Sequence, residues 1–200
     1  MNFRLIRLAF AIAVAGLFLA SISAANAASP ARVPDPATYC TKKGGVVQTR
    51  LPAYDTNGGN PLILAGERQF CQFTKNDGSQ INVLLSTLYT QSPSLAALAY
   101  YAEVQMGTCE GNPASCYCSQ LGGSDLFGGA TGAGGGWVLK TDYTDVLEAC
   151  IFPDMSSIDS WGLAYHSDGI IRGKNLAKVL RYSDPYAGRH DAQSLKRFPF

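Results

Sequence analysis

The sequence predicts an α+β protein built from two tandem helix–hairpin–helix modules, each closed by a disulfide. Three observations carry this reading. The chain matches itself in five places in the same order, four of its six cysteines keep nearly the same spacing in the two copies, and turn-rich segments separate its apolar stretches.

The self-match begins where Asp35-Pro36-Ala37-Thr38-Tyr39-Cys40 resembles Asn112-Pro113-Ala114-Ser115-Cys116-Tyr117-Cys118, with one residue inserted in the second copy. Gly44-Gly45 follows Cys40 at the same distance as Gly122-Gly123 follows Cys118. Phe70-Cys71-Gln72-Phe73 then matches Ala149-Cys150-Ile151-Phe152. The cysteine separations are 31 and 32 residues. A turn and a serine–apolar segment close each copy: Gly78-Ser79-Gln80-Ile81-Asn82 and Ser156-Ser157-Ile158-Asp159.

Each repeated element has a physical role. Asp35 and Asn112 are good helix N-caps, and the proline after each suits the first helical position. Gly44 and Gly122 suit the left-handed position that ends a helix. Val46 to Leu51 with Leu62 to Phe73, and Trp137 to Lys140 with Val146 to Phe152, read as one β-hairpin per copy. A closing helix is expected next. Its apolar face is Ile81, Leu84, Leu85 and Leu88 in the first copy, and Ile158, Trp161 and Tyr165 in the second.

The expected bridges are Cys40–Cys71 and Cys118–Cys150, singled out by the repeat from fifteen possible pairings, with Cys109–Cys116 left as a third pair. Closing a loop of the longer kind stabilises by roughly 3–4 kcal/mol in the chain-entropy model. That is a large contribution to a module of about 60 residues. The expected modules span residues 34–91 and 111–171. A capped helix over Leu95 to Met106, within residues 92–110, connects them, and 172–200 form a basic helix and tail, the helix over Lys174 to Tyr182.

The N-terminus reads as an export signal, residues 1–27. Arg4 and Arg7 precede an apolar run from Leu8 to Leu19, and Ala25-Asn26-Ala27 forms a small-residue cleavage site. The run is shorter than the ~20 residues of a membrane span. Periplasmic or secreted localisation follows, and with it an oxidising environment for the cysteines. Without Arg4 and Arg7 the chain counts 14 basic and 15 acidic residues, a net −1. Residues 172–200 carry seven basic and two acidic side chains (+5), against seven and thirteen (−6) in 28–171. Two faces that attract each other, or a tail that touches an anionic envelope surface, are both consistent with this asymmetry.

The second copy resembles a small bacterial secreted domain of unknown function, often labelled putative hemolysin. The resemblance rests on Asn112, Pro113, Ala114, Ser115, Tyr117, Cys118, Gly122, Gly123, Cys150, Phe152, Pro153, Asp154, Ser157 and Trp161. The first copy matches more loosely, and the two together cover about two-thirds of the mature chain. The resemblance implies a domain type without implying an activity. Where that family has a further cysteine, this chain has Ile81 and Ile158.

No catalytic set emerges. Of the two histidines, His166 reads as a helix C-terminal residue beside the dipole, and His190 falls in the tail. There is no G-x-S-x-G elbow, no zinc-ligand spacing and no phosphate loop, since no Gly-Lys-Ser/Thr follows the glycine-rich stretch Gly122 to Gly136. That stretch and residues 53–61 read as the two hairpin loops and as the plausible contact points of a rigid scaffold. The chain is therefore expected to be a non-catalytic binding or envelope-associated protein, with no cofactor, no nucleic-acid partner and no membrane span. Its partner would be a protein or a cell-envelope component. A structural role through the basic tail and inhibition of a hydrolase are the alternatives, with an unrecognised hydrolase behind them.

Overall fold

A computed structural model describes residues 35–125 and 132–187. Five short helices and eight strands alternate along them: α1 (Pro36–Lys42), β1 (Val46–Tyr54), β2 (Leu62–Ile63), β3 (Arg68–Thr74), β4 (Gln80–Leu84), α2 (Leu85–Tyr89), α3 (Leu95–Ala102), α4 (Pro113–Gln120), β5 (Gly135–Leu139), β6 (Asp142–Leu147), β7 (Ala149–Ile151), β8 (Ser157–Asp159) and α5 (Ser160–Ser167). The expected signal peptide lies outside the described residues.

The expectation of two helix–hairpin–helix modules is wrong. All eight strands join one antiparallel sheet, ordered β6-β5-β1-β3-β4-β8-β7, with β2 pairing beside β1. The end strands β6 and β7 are separated only by Glu148. The sheet therefore curls until its two ends are halves of one chain segment.

The repeat survives inside this sheet in altered form. Asp35 accepts from the Thr38 N–H to cap α1, and Asn112 accepts from Ala114 and Ser115 to cap α4. In β3–β4, Cys71 lies opposite Val83; in β7–β8, Cys150 lies opposite Ile158. Val83 and Ile158 in turn face each other across β4 and β8, as a local two-fold axis requires. The bridges thus make Ile158 the counterpart of Val83. The turns instead align it with Ile81, because the first hairpin runs two residues longer on each strand. A two-residue change keeps every side chain on its face.

The copies diverge at their first strand. Val46 starts β1 opposite Gln72, whereas its counterpart Ser124 makes only an isolated bridge to Ile151. The chain then leaves that edge, and β5 pairs with β1 of the first copy, Leu51 opposite Val138. The expected second hairpin forms in part: Trp137 and Val138 of β5 pair with Leu147 and Val146 of β6, but the rest of that segment, β7, pairs with β8 instead.

The closing helices are also shorter than expected. Residues 80–84 form a strand and only 85–89 form helix. Ile81, Leu84, Leu85 and Leu88 fit a helical period, but Ile81 to Leu85 are all buried, because β4 is central and covered on both faces. In α5 the inward residues are Leu163, Ala164 and His166, while Trp161 is half-buried and Tyr165 exposed, the reverse of the expected face. The helix expected over 174–182 is a single 3-10 turn at Leu176–Lys178. That segment straps back on the first copy, where Val179 O accepts from Tyr39 Oη at 2.8 Å and the Arg181 N–H donates to Leu88 O.

One sheet face carries Cys71, Phe73, Ile81, Val83, Cys150 and Ile158 and forms the main core with the helices. The inner face of the curl holds a smaller cluster of Phe70, Leu84, Trp137, Leu147 and Ala149.

Candidate functional site

Three disulfides join Cys40 to Cys71, Cys109 to Cys116 and Cys118 to Cys150. No free cysteine is present, so none is a nucleophile in this state. The two long bridges sit under the helices, and the second glycine of each Gly-Gly pair makes room for one. A Cβ on Gly45 would overlap Cys71 Sγ and lie 2.9 Å from Cys40 Sγ; one on Gly123 would overlap Cys150 Sγ. Gly44 and Gly122, at φ +84° and +82°, end their helices in the left-handed region.

His166 is buried, its ring stacked on Tyr100 at 3.9 Å and its Nε2 3.2 Å from Glu103 Oε1. Ser167 Oγ donates to Ala164 O instead of to the imidazole, so the Tyr165–Asp168 stretch builds no triad. Burial pulls the imidazole pKa below its usual value, opposed by Glu103. His190 lies outside the described residues. Among the described residues, no group of three His, Cys, Asp or Glu is placed to hold a metal ion, and no helix is long and apolar enough to cross a membrane.

The two expected contact loops come together. Backbone N–H groups of Asp55 and Asn57 donate to Gly134 O and Ala133 O, and Asn57 Nδ2 donates to Gly132 O at 3.0 Å. Beside them is a cleft of about 250 Å³ that reaches Asn112, Val146 and Glu148. Residues 126–131 of the glycine-rich loop lie outside the described residues.

Val146 and Glu148 also border a second cleft, about 180 Å³, at one end of the inner face. Its wall includes Arg50, Asn82, Asp145, Asp159, Trp161 and Arg172. Sequence reasoning missed it, because its residues come from four strands, a helix and the strap. Arg50, 1% exposed, is fully engaged: it donates to Trp137 O at 2.9 Å, Asp145 O at 3.1 Å, Asp145 Oδ1 at 3.0 Å and Gln48 Oε1. It staples β1 to β5 and β6, and so fixes the cleft's floor. The alternation of strand residues was the available signal: Arg50 falls on the same side of β1 as Gln48 and Pro52.

Asp159 is buried between β8 and α5. Its Oδ1 caps α5 through the Gly162 N–H at 2.9 Å, and its Oδ2 faces Asn82 Nδ2 at 3.5 Å. Burial raises its carboxyl pKa, while the Gly162 N–H and the nearby Arg172 charge act to lower it. Asn82 is 4% exposed, and its Oδ1 has no partner.

No family model, curated protein or solved structure matches the chain. The site must therefore be read from its own geometry.

Proposed function

We propose that this is an exported, non-catalytic binding protein that recognises a protein or cell-envelope component through the loop end of its curled sheet. The resemblance of its cysteine and glycine pattern to a secreted bacterial domain supports the exported part of this reading. The observation that carries the binding part is the fastening of loop 55–57 to loop 132–134 beside two polar clefts that share Glu148. Loops held by a rigid scaffold lose little freedom on binding, and here hydrogen bonds fasten one loop to the other.

The described part of the basic segment supports the intramolecular view of the charge asymmetry. Arg181 lies over the Tyr89 ring at 4.1 Å, and Arg172 over Tyr165 at 5.1 Å. These cations are placed on the protein's own aromatics. The test is capture of envelope material by the immobilised mature chain. Asn57→Ala combined with Glu148→Ala is expected to abolish capture while the chain still unfolds cooperatively, whereas deletion of 188–200 leaves capture intact. The opposite pattern would overturn this reading in favour of the tail.

A further inference from the structure

We propose that the cleft at the end of the inner face is a subsite for a compact primary ammonium group, with Asn82 Oδ1 and the Asp159 carboxylate as its acceptors. This rests on the reading of the loop end as a binding face.

The first observation is an acceptor without a donor. Asn82 lines the cleft from β4, and its buried Oδ1 has no hydrogen-bond partner. An orphaned buried amide oxygen carries an uncompensated desolvation cost. A donor entering the cleft would recover that cost. The orientation of the amide is fixed by its Nδ2, which faces the Asp159 carboxylate.

The second observation is the balance of unspent groups. Arg50 is committed to Trp137 O, Asp145 and Gln48. Glu148 accepts from Asn112 Nδ2 with both oxygens, at 3.2 and 3.0 Å. Asp159 Oδ2 has one long side-chain contact, to Asn82 Nδ2 at 3.5 Å, with the Asn82 backbone N–H and the Arg172 charge nearby. The acceptors of the cleft thus have capacity left, whereas the buried guanidinium has none. Arg172 shares the wall with Asp159 and Glu148 and lies over the Tyr165 ring. A neutral donor would satisfy Asn82 but leave the buried carboxylate without an added counter-charge. An ammonium satisfies both.

The third observation is the wall. Trp161, half-buried on α5, borders the same space. An indole beside a carboxylate suits an alkylammonium, whose methylene stem and charge both gain from the ring. A volume of about 180 Å³ admits a small amine or the end of a longer chain, not a large ligand.

The experiment uses the full mature chain and follows Trp161 emission, with Trp161→Phe as the blank for Trp137. The probes are n-propylammonium, propionate and propionamide. Saturable quenching by propylammonium is expected, with propionamide and propionate at least about tenfold weaker. Asn82→Leu is expected to weaken propylammonium at least about tenfold, while Asn82→Asp retains it. A thermal melt of each variant confirms that it folds, and if Asn82→Leu does not, Asp159→Asn serves in its place. Stronger binding of propionate, no saturable response to propylammonium, or equal affinity in Asn82→Leu would each overturn the proposal. Envelope capture that persists in Asn82→Leu would leave the binding-protein reading standing while the ammonium subsite falls. Competition of propylammonium with envelope capture would assign the natural ammonium to an envelope component, and binding without competition would assign it to a free solute.

Discussion

Gly45→Ala tests whether the repeated second glycine exists to let a disulfide pass. Gly45 lies at the turn from α1 into β1, against the Cys40–Cys71 bridge. A methyl there would overlap Cys71 Sγ and lie 2.9 Å from both Cys40 Sγ and Phe73 Cε1. All three neighbours are essentially unexposed, so none can move aside into solvent. Overpacking of this kind costs about 1–3 kcal/mol. If the bridge fails to close, a further roughly 3–4 kcal/mol is lost with its loop constraint. Against a total of about 5–15 kcal/mol, the sum decides whether the domain folds. Urea unfolding with a count of free thiols separates the two costs.

Two controls sharpen the reading. Gly78 has a positive φ, +81°, which Gly45 does not share, and a Cβ there meets nothing within 4 Å. Gly78→Ala is therefore expected to cost only the backbone strain, about 1 kcal/mol. In a Cys40→Ala/Cys71→Ala background the sulfurs are gone, and the penalty of Gly45→Ala is expected to shrink by at least about 1 kcal/mol. If Gly45→Ala is as mild as Gly78→Ala, or costs the same with and without the bridge, the close-approach argument is refuted.

Other expectations follow from the same geometry. Replacing the Cys109–Cys116 pair by alanines should cost about 2–2.5 kcal/mol, less than the roughly 3.5–4 for Cys40–Cys71, because the closed loop is shorter; equal urea midpoints for the two double variants would contradict this. His166 has its folded pKa depressed below the usual 6.5, so the unfolded chain takes up the proton first as pH falls. Stability is thus intact above about pH 7 and declines from pH 6.5 toward the folded value, and His166→Gln should flatten that part of the profile in thermal melts. Arg50→Met should destabilise by about 2–4 kcal/mol, since Trp137 O and Asp145 lose their donor and Asp145 is only half-buried; a change under about 0.5 kcal/mol in urea would remove the stapling role.

What the sequence revealed was local or carried by the repeat, which singled out the Cys40–Cys71 and Cys118–Cys150 bridges. The caps at Asp35 and Asn112 depend on residues two or three positions away, and the short periodic signal contains them. The joining of Cys109 to Cys116 spans seven residues. The sheet was hidden because its decisive pairings are remote: Leu51 opposite Val138, and Val83 opposite Ile158. Neither segment carries a mark of its partner. Gln80–Leu84 was misread because a strand covered on both faces loses alternation, and four leucines and isoleucines then satisfy a helical period by accident. The cleft was hidden for the same reason as the sheet. Asn82, Asp145 and Asp159 are unremarkable polar residues until the register places them side by side. The second glycine of each pair was visible in the repeat, but its purpose required the position of the sulfurs.

Why two similar halves merge into one sheet follows from their edges. A copy made of β1, β3 and β4 alone would expose β1 and β4 as unpaired strands, an open invitation to association. Pairing β4 with β8 removes one edge from each copy. The other edge of the first copy, β1, is covered because the second copy gives up its own first strand. Ser124 retains a single bridge where Val46 begins a nine-residue strand, and the released chain returns as β5 on the far side of β1. That transfer also carries the 132–134 loop to the 55–57 loop. The candidate binding end is thus a consequence of the unequal second copy: restoring an ordinary strand after Ser124 would complete the repeat, uncover β1 and separate the two loops.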